Sequence, residues 1–154
     1  MVGYTIKHFN ELSVHELHEI MALRQTVFIV EQNCPYLDAD FKDLHSYHLF
    51  LRNEKGRMVA YSRMVPEGVS YADHISIGRV VVHPEIRRTG AGRELMAESL
   101  KACERCFGAK PIKISAQSYL HDFYASFGFK QVSEPYMEDD IPHIAMILPI
   151  ADRQ

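Results

Sequence analysis

The feature that most restricts how this chain can fold is the passage from Ile75 to Phe107, which reads as strand, glycine loop and helix in direct succession. Ile75 to Val82 is rich in β-branched residues, and Pro84 stops the strand because proline has no N–H to give a ladder. Gly92, Met96, Leu100, Cys103 and Phe107 then step by 4, 4, 3 and 4, which places them on one face of a helix that Gly108 ends. So regular an apolar stripe needs a sheet to pack on. Between strand and helix lies Arg87-Arg88-Thr89-Gly90-Ala91-Gly92.

Glycine lets backbone N–H groups converge on an anion with no Cβ in the way, and a helix starting there adds the positive end of its dipole. Arg87, Arg88 and Arg93 surround the pair with guanidinium forks, so the composition suits a phosphate group. A plain tight turn before a surface helix has the same composition. The spacing is not that of a Walker A loop, and a dinucleotide fingerprint would need a glycine or alanine where Leu95 stands.

The flanking sequence extends the pattern. Tyr4 to Phe9 alternates like a strand, and Ser13 with Glu16 forms a capping box for a helix from Val14 to about Val30, with Arg24 on its apolar stripe. Glu31 to Leu44 is looser. Ser46 to Leu51 and Arg57 to Val65 read as a hairpin turning at Gly56. After the long helix come a strand from Pro111 to Ala116, a helix from Ser118 to Phe127 closed by Gly128, and strands at Phe129 to Val132 and His143 to Leu148. The order β-α-β-β-β-α-β-α-β-β predicts an α/β chain of the α+β type, with a mixed, mostly antiparallel central sheet of about seven strands and helices on both faces.

With 154 residues and no linker or repeat, residues 1–154 are expected to form a single domain. A net charge of -3 provides no general field for nucleic acid. No apolar run approaches the roughly 20 residues of a membrane span, and the first residues lack a signal-peptide layout, so a cytoplasmic protein is expected. Three cysteines do not suggest a disulfide framework. Cys103 and Cys106 form a C-x-x-C with no second zinc pair nearby, and His15-Glu16-Leu17-His18 lacks the H-E-x-x-H spacing. Asp38, Asp40 and Asp43 lack the glycine and terminal glutamate of an EF-hand; they read as a solvated loop, or as a place to meet a cationic amine. His45 and His48 are spaced to face opposite sides of a sheet.

Taken together, Ile77-Gly78-Arg79-Val80-Val81-Val82-His83-Pro84, the R-x-x-G-x-G of Arg87 to Gly92, and Phe123-Tyr124-Ala125-Ser126-Phe127-Gly128-Phe129 resemble the GNAT superfamily of N-acetyltransferases. The runs Phe28 to Tyr36 and Asp140-Ile141-Pro142-His143-Ile144 are similar to its ElaA-like branch. The resemblance covers nearly the whole chain and implies an N-acetyltransferase that moves an acetyl group from acetyl-CoA to a primary amine, with no metal. It assigns the backbone of Val80, Val81 and Val82 to the pantetheine arm, and Arg87, Arg88, Thr89, Gly90, Ala91, Gly92 and Arg93 to the pyrophosphate. Gln117 falls where the family often has an asparagine facing the cofactor.

The resemblance also makes Tyr124 the general acid, whereas apart from the motif a helix-face tyrosine beside Leu120 and Phe127 reads as an ordinary core aromatic. No carboxylate follows Asp73 on the strand before the glycine loop. Glu31 is the first candidate for the base, with an ion-pair or capping role as its alternative; His83, His143 or a water path are the other routes. A non-catalytic acyl-CoA-binding module on the same scaffold is the competing function. Open sheet edges leave room for a homodimer.

Overall fold

In the computed structural model, which describes residues 3–150, the first helix starts at the expected capping box. Met1, Val2 and residues 151–154, included in the single-domain expectation, lie outside the described residues. Ser13 Oγ accepts from the Glu16 N–H at 3.0 Å and Glu16 Oε1 accepts from the Ser13 N–H at 2.8 Å. Helix α1 spans Val14–Arg24 and continues as a π-helical stretch, Gln25–Glu31. Within that stretch Thr26 Oγ1 donates to the Ala22 carbonyl at 2.8 Å, a back-bond that competes with the regular helical ladder.

Strands β1 (Thr5–His8), β2 (Tyr47–Arg52), β3 (Met58–Val65) and β4 (Ser76–Val82) form an antiparallel sheet in chain order. Helix α2 (Ala91–Phe107) leads to β5 (Ile112–Gln117), and a 3-10 turn then leads into α3 (His121–Ala125), shorter than its sequence suggested. A second antiparallel sheet is built around β8 (Ile141–Leu148), which pairs with β5, β6 (Lys130–Gln131) and β7 (Tyr136–Glu138). Among the described residues, the two sheets meet in one parallel bridge, Ile75 to Ile112, with the Lys113 N–H donating to the Ile75 carbonyl at 3.0 Å. The α+β class therefore holds, while the expected single sheet divides in two. Strand β7 had no sequence signal: its two-residue turn to β8 uses Asp139 and Asp140 at φ +51° and +62° in place of the usual glycine.

Alternation on the strands separates two cores. Leu49, Ala60, Met64 and Ile77 pack with Leu95, Met96, Ala102 and Cys103 of α2 and with Ile112, Ile114, Ile144 and Met146 of the second sheet. Phe50, Met58, Tyr61 and Val81 instead meet Ile20, Leu23 and Val27 on the α1 side. No disulfide joins the cysteines; Cys103 is buried and Cys106 half-buried on α2.

Of the three aspartates of the 38–43 loop, Asp38 and Asp43 are buried and Asp40 is half-buried, and all three meet arginines of the chain itself. Fully buried Arg24 donates through Nε to Asp38 Oδ2 and through Nη1 to Asp43 Oδ1, both at 2.8 Å. Arg63 Nη1 lies 2.7 Å from both Asp40 Oδ1 and Asp43 Oδ1, and Arg79 Nε lies 2.9 Å from Asp38 Oδ1. His48 is sealed into the same region, with Nε2 donating to the Asp43 carbonyl at 2.9 Å and Nδ1 accepting from Tyr61 OH at 2.6 Å. The arginine and aspartate partners are 14 to 41 residues apart, so local sequence could not reveal them.

Burial raises the Asp43 carboxyl, but the hydrogen bonds and charges of Arg24 and then Arg63 outweigh it and leave it below its ordinary 3.8. A carboxyl lowered in the folded state adds stability above the unfolded value and loses it as pH falls through the folded one. Urea unfolding should therefore show the midpoint dropping below about pH 4, with a flatter dependence in Asp43→Asn. At pH 7 that substitution should cost about 3 kcal/mol by leaving arginine charge buried and underpaired.

Candidate functional site

Beyond Ile75 the edge of β4 separates from β5, and no ladder joins them again among the described residues. On its other edge β4 carries a bulge: Val81 pairs with Tyr61 and Gly78 with Arg63, so Arg79 and Val80 share the single residue Ser62. Arg79 sits at φ +50°, a left-handed conformation that costs a non-glycine residue about 1–2 kcal/mol. Its guanidinium is held by Asp38 and stacks 5.7 Å from the Tyr36 ring. Val81 is buried toward α1, whereas Val80 and Val82 pack against the α2 core. The opened edge thus belongs to a strand with an anchored backbone.

At the end of β4 the chain turns through Pro84–Ile86 into the glycine loop. Gly90, at φ +86°, is the N-cap of α2 and supplies no side-chain acceptor to the helix's first N–H groups. A Cβ built at Gly90 or Gly92 meets nothing within 4 Å. Uncapped donors facing open space fit a diphosphate group. Ala91 and Gly92 begin the helix itself, and Thr89 Oγ1 donates to the Ile86 carbonyl at 2.6 Å, bracing the loop.

The three arginines are placed differently. Arg88 lies at φ +64° with no carboxylate paired to it among the described residues. Arg93 Nη2 donates to Ser126 Oγ at 3.0 Å, and its guanidinium lies 5.1 Å from the Phe127 ring, so it ties α2 to the end of α3. Arg87 makes a two-pronged ion pair with Glu31, with Nη1 at 2.7 Å from Oε2 and Nη2 on Oε1. These hydrogen bonds hold the Glu31 carboxyl below its ordinary 4.5. Glu31 therefore stands at the glycine loop with both oxygens engaged. His83, another candidate base, lies 2.8 Å from an Arg57 nitrogen.

Tyr124 on α3 is buried in the α2-side core, with its ring edge-on to Phe123 at 5.2 Å and Phe129 at 5.9 Å. Burial, and then Tyr119, push its phenol up to about 12, which keeps the hydroxyl protonated at neutral pH. Gln117 ends β5 at the opened edge and faces His143 across the ladder, while the neighbouring Ser118 Oγ is buried without a hydrogen-bond partner. Sequence reading missed Ser115, Tyr136 and Glu138, which gather beside His143. Ser115 Oγ hydrogen-bonds Tyr136 OH and donates to Glu138 Oε1 at 3.4 Å. The alternation of Ile141 to Leu148 was the available signal, but the short β7 concealed its partner.

The chain matches the family described as acetyltransferase (GNAT) domain over residues 16–150. It is 44% identical over 148 residues to a UPF0039 protein of Schizosaccharomyces pombe, covering 96% of this chain and 97% of that one. It is 40% identical over 147 residues to Protein ElaA of Escherichia coli, covering 95% of each, and the crystal structure of ElaA superposes with a TM-score of 0.88 over 100% of both chains. The crystal structure of an acyl-CoA N-acyltransferase from Pseudomonas aeruginosa gives a TM-score of 0.90 at 40% identity, over 96% of this chain and 99% of that one.

The two loop glycines should respond oppositely to alanine. Gly90→Ala forces a side chain into positive φ and should lower unfolding stability by about 1–2 kcal/mol. Gly92→Ala, inside α2 and in open space, should raise it by about 0.5–1 kcal/mol. Paired urea titrations read both signs.

Proposed function

The chain belongs to the GNAT acetyltransferase family, on its ElaA-like branch, and from that premise we propose that it transfers an acetyl group from acetyl-CoA to a primary amine. The observation that carries this reading is the uncapped, glycine-led start of α2 beside the opened edge of β4. Backbone N–H groups from Gly90 to Arg93, with the side chains of Arg87, Arg88 and Arg93, would hold the pyrophosphate of acetyl-CoA. Thr89 and Ala91 complete the turn. The backbone of Val80, Val81 and Val82 would take the pantetheine arm as an added strand, with Gln117 on the other side. Glu31 orients Arg87 on this reading; a carboxyl held low by an arginine is a weak proton acceptor, so we do not assign it the base role.

Acetyl-CoA supplies an activated acyl group, and the chain has to place an amine against it. A backbone N–H near Val80 and Val81 would polarise the acyl oxygen, and Tyr124 would donate its proton to the departing sulfur. We further read residues 1–154 as a single cytoplasmic domain whose partners are acetyl-CoA and an amine, without nucleic acid, membrane or metal. A homodimer could form along an open sheet edge.

Calorimetry with CoA, followed by a free-thiol assay on diamines, amino-acid amides and short peptides, tests the proposal. CoA should bind, Gly92→Ala should weaken that binding by filling the cradle, and Tyr124→Phe should leave it within twofold while lowering kcat by about 100-fold. CoA binding with no turnover on any amine would favour a non-catalytic acyl-CoA module. An absence of CoA binding would end both readings.

A further inference from the structure

We infer that His143, backed by Glu138, is the group that takes the proton from the acceptor amine, an assignment that rests on the acetyltransferase reading above. The placement comes from strand alternation. Ile144, Met146 and Leu148 of β8 are buried in the core under α2, together with Tyr124. His143 therefore projects from the opposite face, where its ladder partners are Gln117 of β5 and Tyr136 of β7. The sheet separates Tyr124, the proton donor for sulfur, from His143. The two groups can serve one acyl carbon only through the opening where β4 and β5 diverge, beside Gln117, the ladder partner of His143.

The hydrogen bonds fix which imidazole nitrogen reacts. Nδ1 lies 2.7 Å from the Ile141 carbonyl, which can only accept, so Nδ1 carries a hydrogen and Nε2 is the nitrogen left to exchange a proton. Nε2 lies 3.4 Å from Glu138 Oε2, a carboxylate positioned to stabilise the imidazolium once Nε2 is protonated. The Tyr136 ring stacks on the imidazole at 6.3 Å and 25°, and Ser115 holds both the Tyr136 hydroxyl and Glu138. The groups facing His143 are thus Gln117 from β5 and Tyr136 and Glu138 from β7.

His143 is buried, 7% exposed, and a cleft lies beside the turn that precedes it. Gln32, Asn33, Cys34 and Pro35 form one wall of a cleft of about 420 Å³, and Met137, Asp139, Asp140 and Ile141 form the other. Cys34 Sγ donates to the Asp139 carbonyl at 3.1 Å and joins the walls. Ile141, which lines the cleft, also holds His143 Nδ1 through its carbonyl. The other sequence candidates are engaged elsewhere, Glu31 by Arg87 and His83 by Arg57.

His143 Nε2 takes one proton from the incoming ammonium and passes it to solvent, and the neutral amine nitrogen then forms a bond to the acyl carbon and gives a second proton to Nε2. The carbon–sulfur bond breaks with its electron pair on sulfur, which takes the Tyr124 proton. His143 then returns its proton through solvent to the Tyr124 oxygen, leaving an amide and a thiol.

The test uses the full chain and the best acceptor found in the amine panel, and compares wild type with His143→Gln and Glu138→Gln. His143→Gln should keep CoA affinity within twofold, lose about 100-fold in kcat/KM at pH 7, and shift the acid limb of the pH profile upward, because only amine already neutral in solution still reacts. Glu138→Gln lies on an exposed hairpin and should fold normally, so it decides the matter if His143→Gln does not fold; its expected loss is about tenfold with the same direction of shift. Wild-type rates in either folded variant, or a loss equal at every pH with the profile unchanged, would overturn the assignment. A wild-type protein that binds CoA yet turns over no amine would instead overturn the acetyltransferase reading, and this inference with it.

Discussion

Three arginines from α1, β3 and β4 meet three aspartates of one loop, with Arg24, Arg63, Asp38 and Asp43 buried, and the shape of the opened sheet depends on that meeting. Taking an ion out of water costs several kcal/mol, so six charges gathered there are not an efficient source of stability. Their value lies in register. Arg24 fixes the helix, Arg63 fixes β3, and Arg79 fixes the bulged residue of β4, all against Asp38, Asp40 and Asp43. The left-handed backbone of Arg79 would relax if its guanidinium were free; the bonds to the Asp38 carboxylate and carbonyl keep it in place.

That anchored bulge has consequences on both sides of the sheet. On one side lies the α2 core with the glycine-led helix start and Tyr124, and on the other lie Gln117, Ser115, His143 and the β7–β8 hairpin. The single bridge from Ile75 to Ile112 acts as the vertex from which β4 and β5 diverge. A continuous ladder there would satisfy the strand edges and leave no opening. Catalysis by positioning requires such an opening in a frame that does not close when empty. The buried charges and the two apolar cores supply that rigidity together.

Much of the fold was legible because its signals are local. Ser13 and Glu16 are three residues apart, the stripe from Gly92 to Phe107 repeats with the helical turn, and Gly90 occupies the positive-φ position that glycine favours. Other features were hidden for identifiable reasons. A two-residue turn of aspartates gave no glycine to mark β7, and the π-helical stretch Gln25–Glu31 continues a helix whose apolar spacing looks ordinary. The aspartates of the 38–43 loop looked solvated because acidic residues in a loop usually are, and nothing adjacent in the chain named their partners.

By itself, then, the sequence determined the order of elements, the start of α2 and its anion-suited glycines, since these rest on backbone preferences and the apolar period. Tertiary structure alone decided that Glu31 would be taken by Arg87, 56 residues away, that Arg24 would be sealed against Asp38 and Asp43, and that His143 would face Glu138 rather than the core. A charge interacts with whatever charge comes within a few ångströms, and chain folding, not sequence spacing, sets that distance. The glycine loop could be read as a site for phosphate from its own residues; which side chains would stand beside it depended on how the two sheets were held apart.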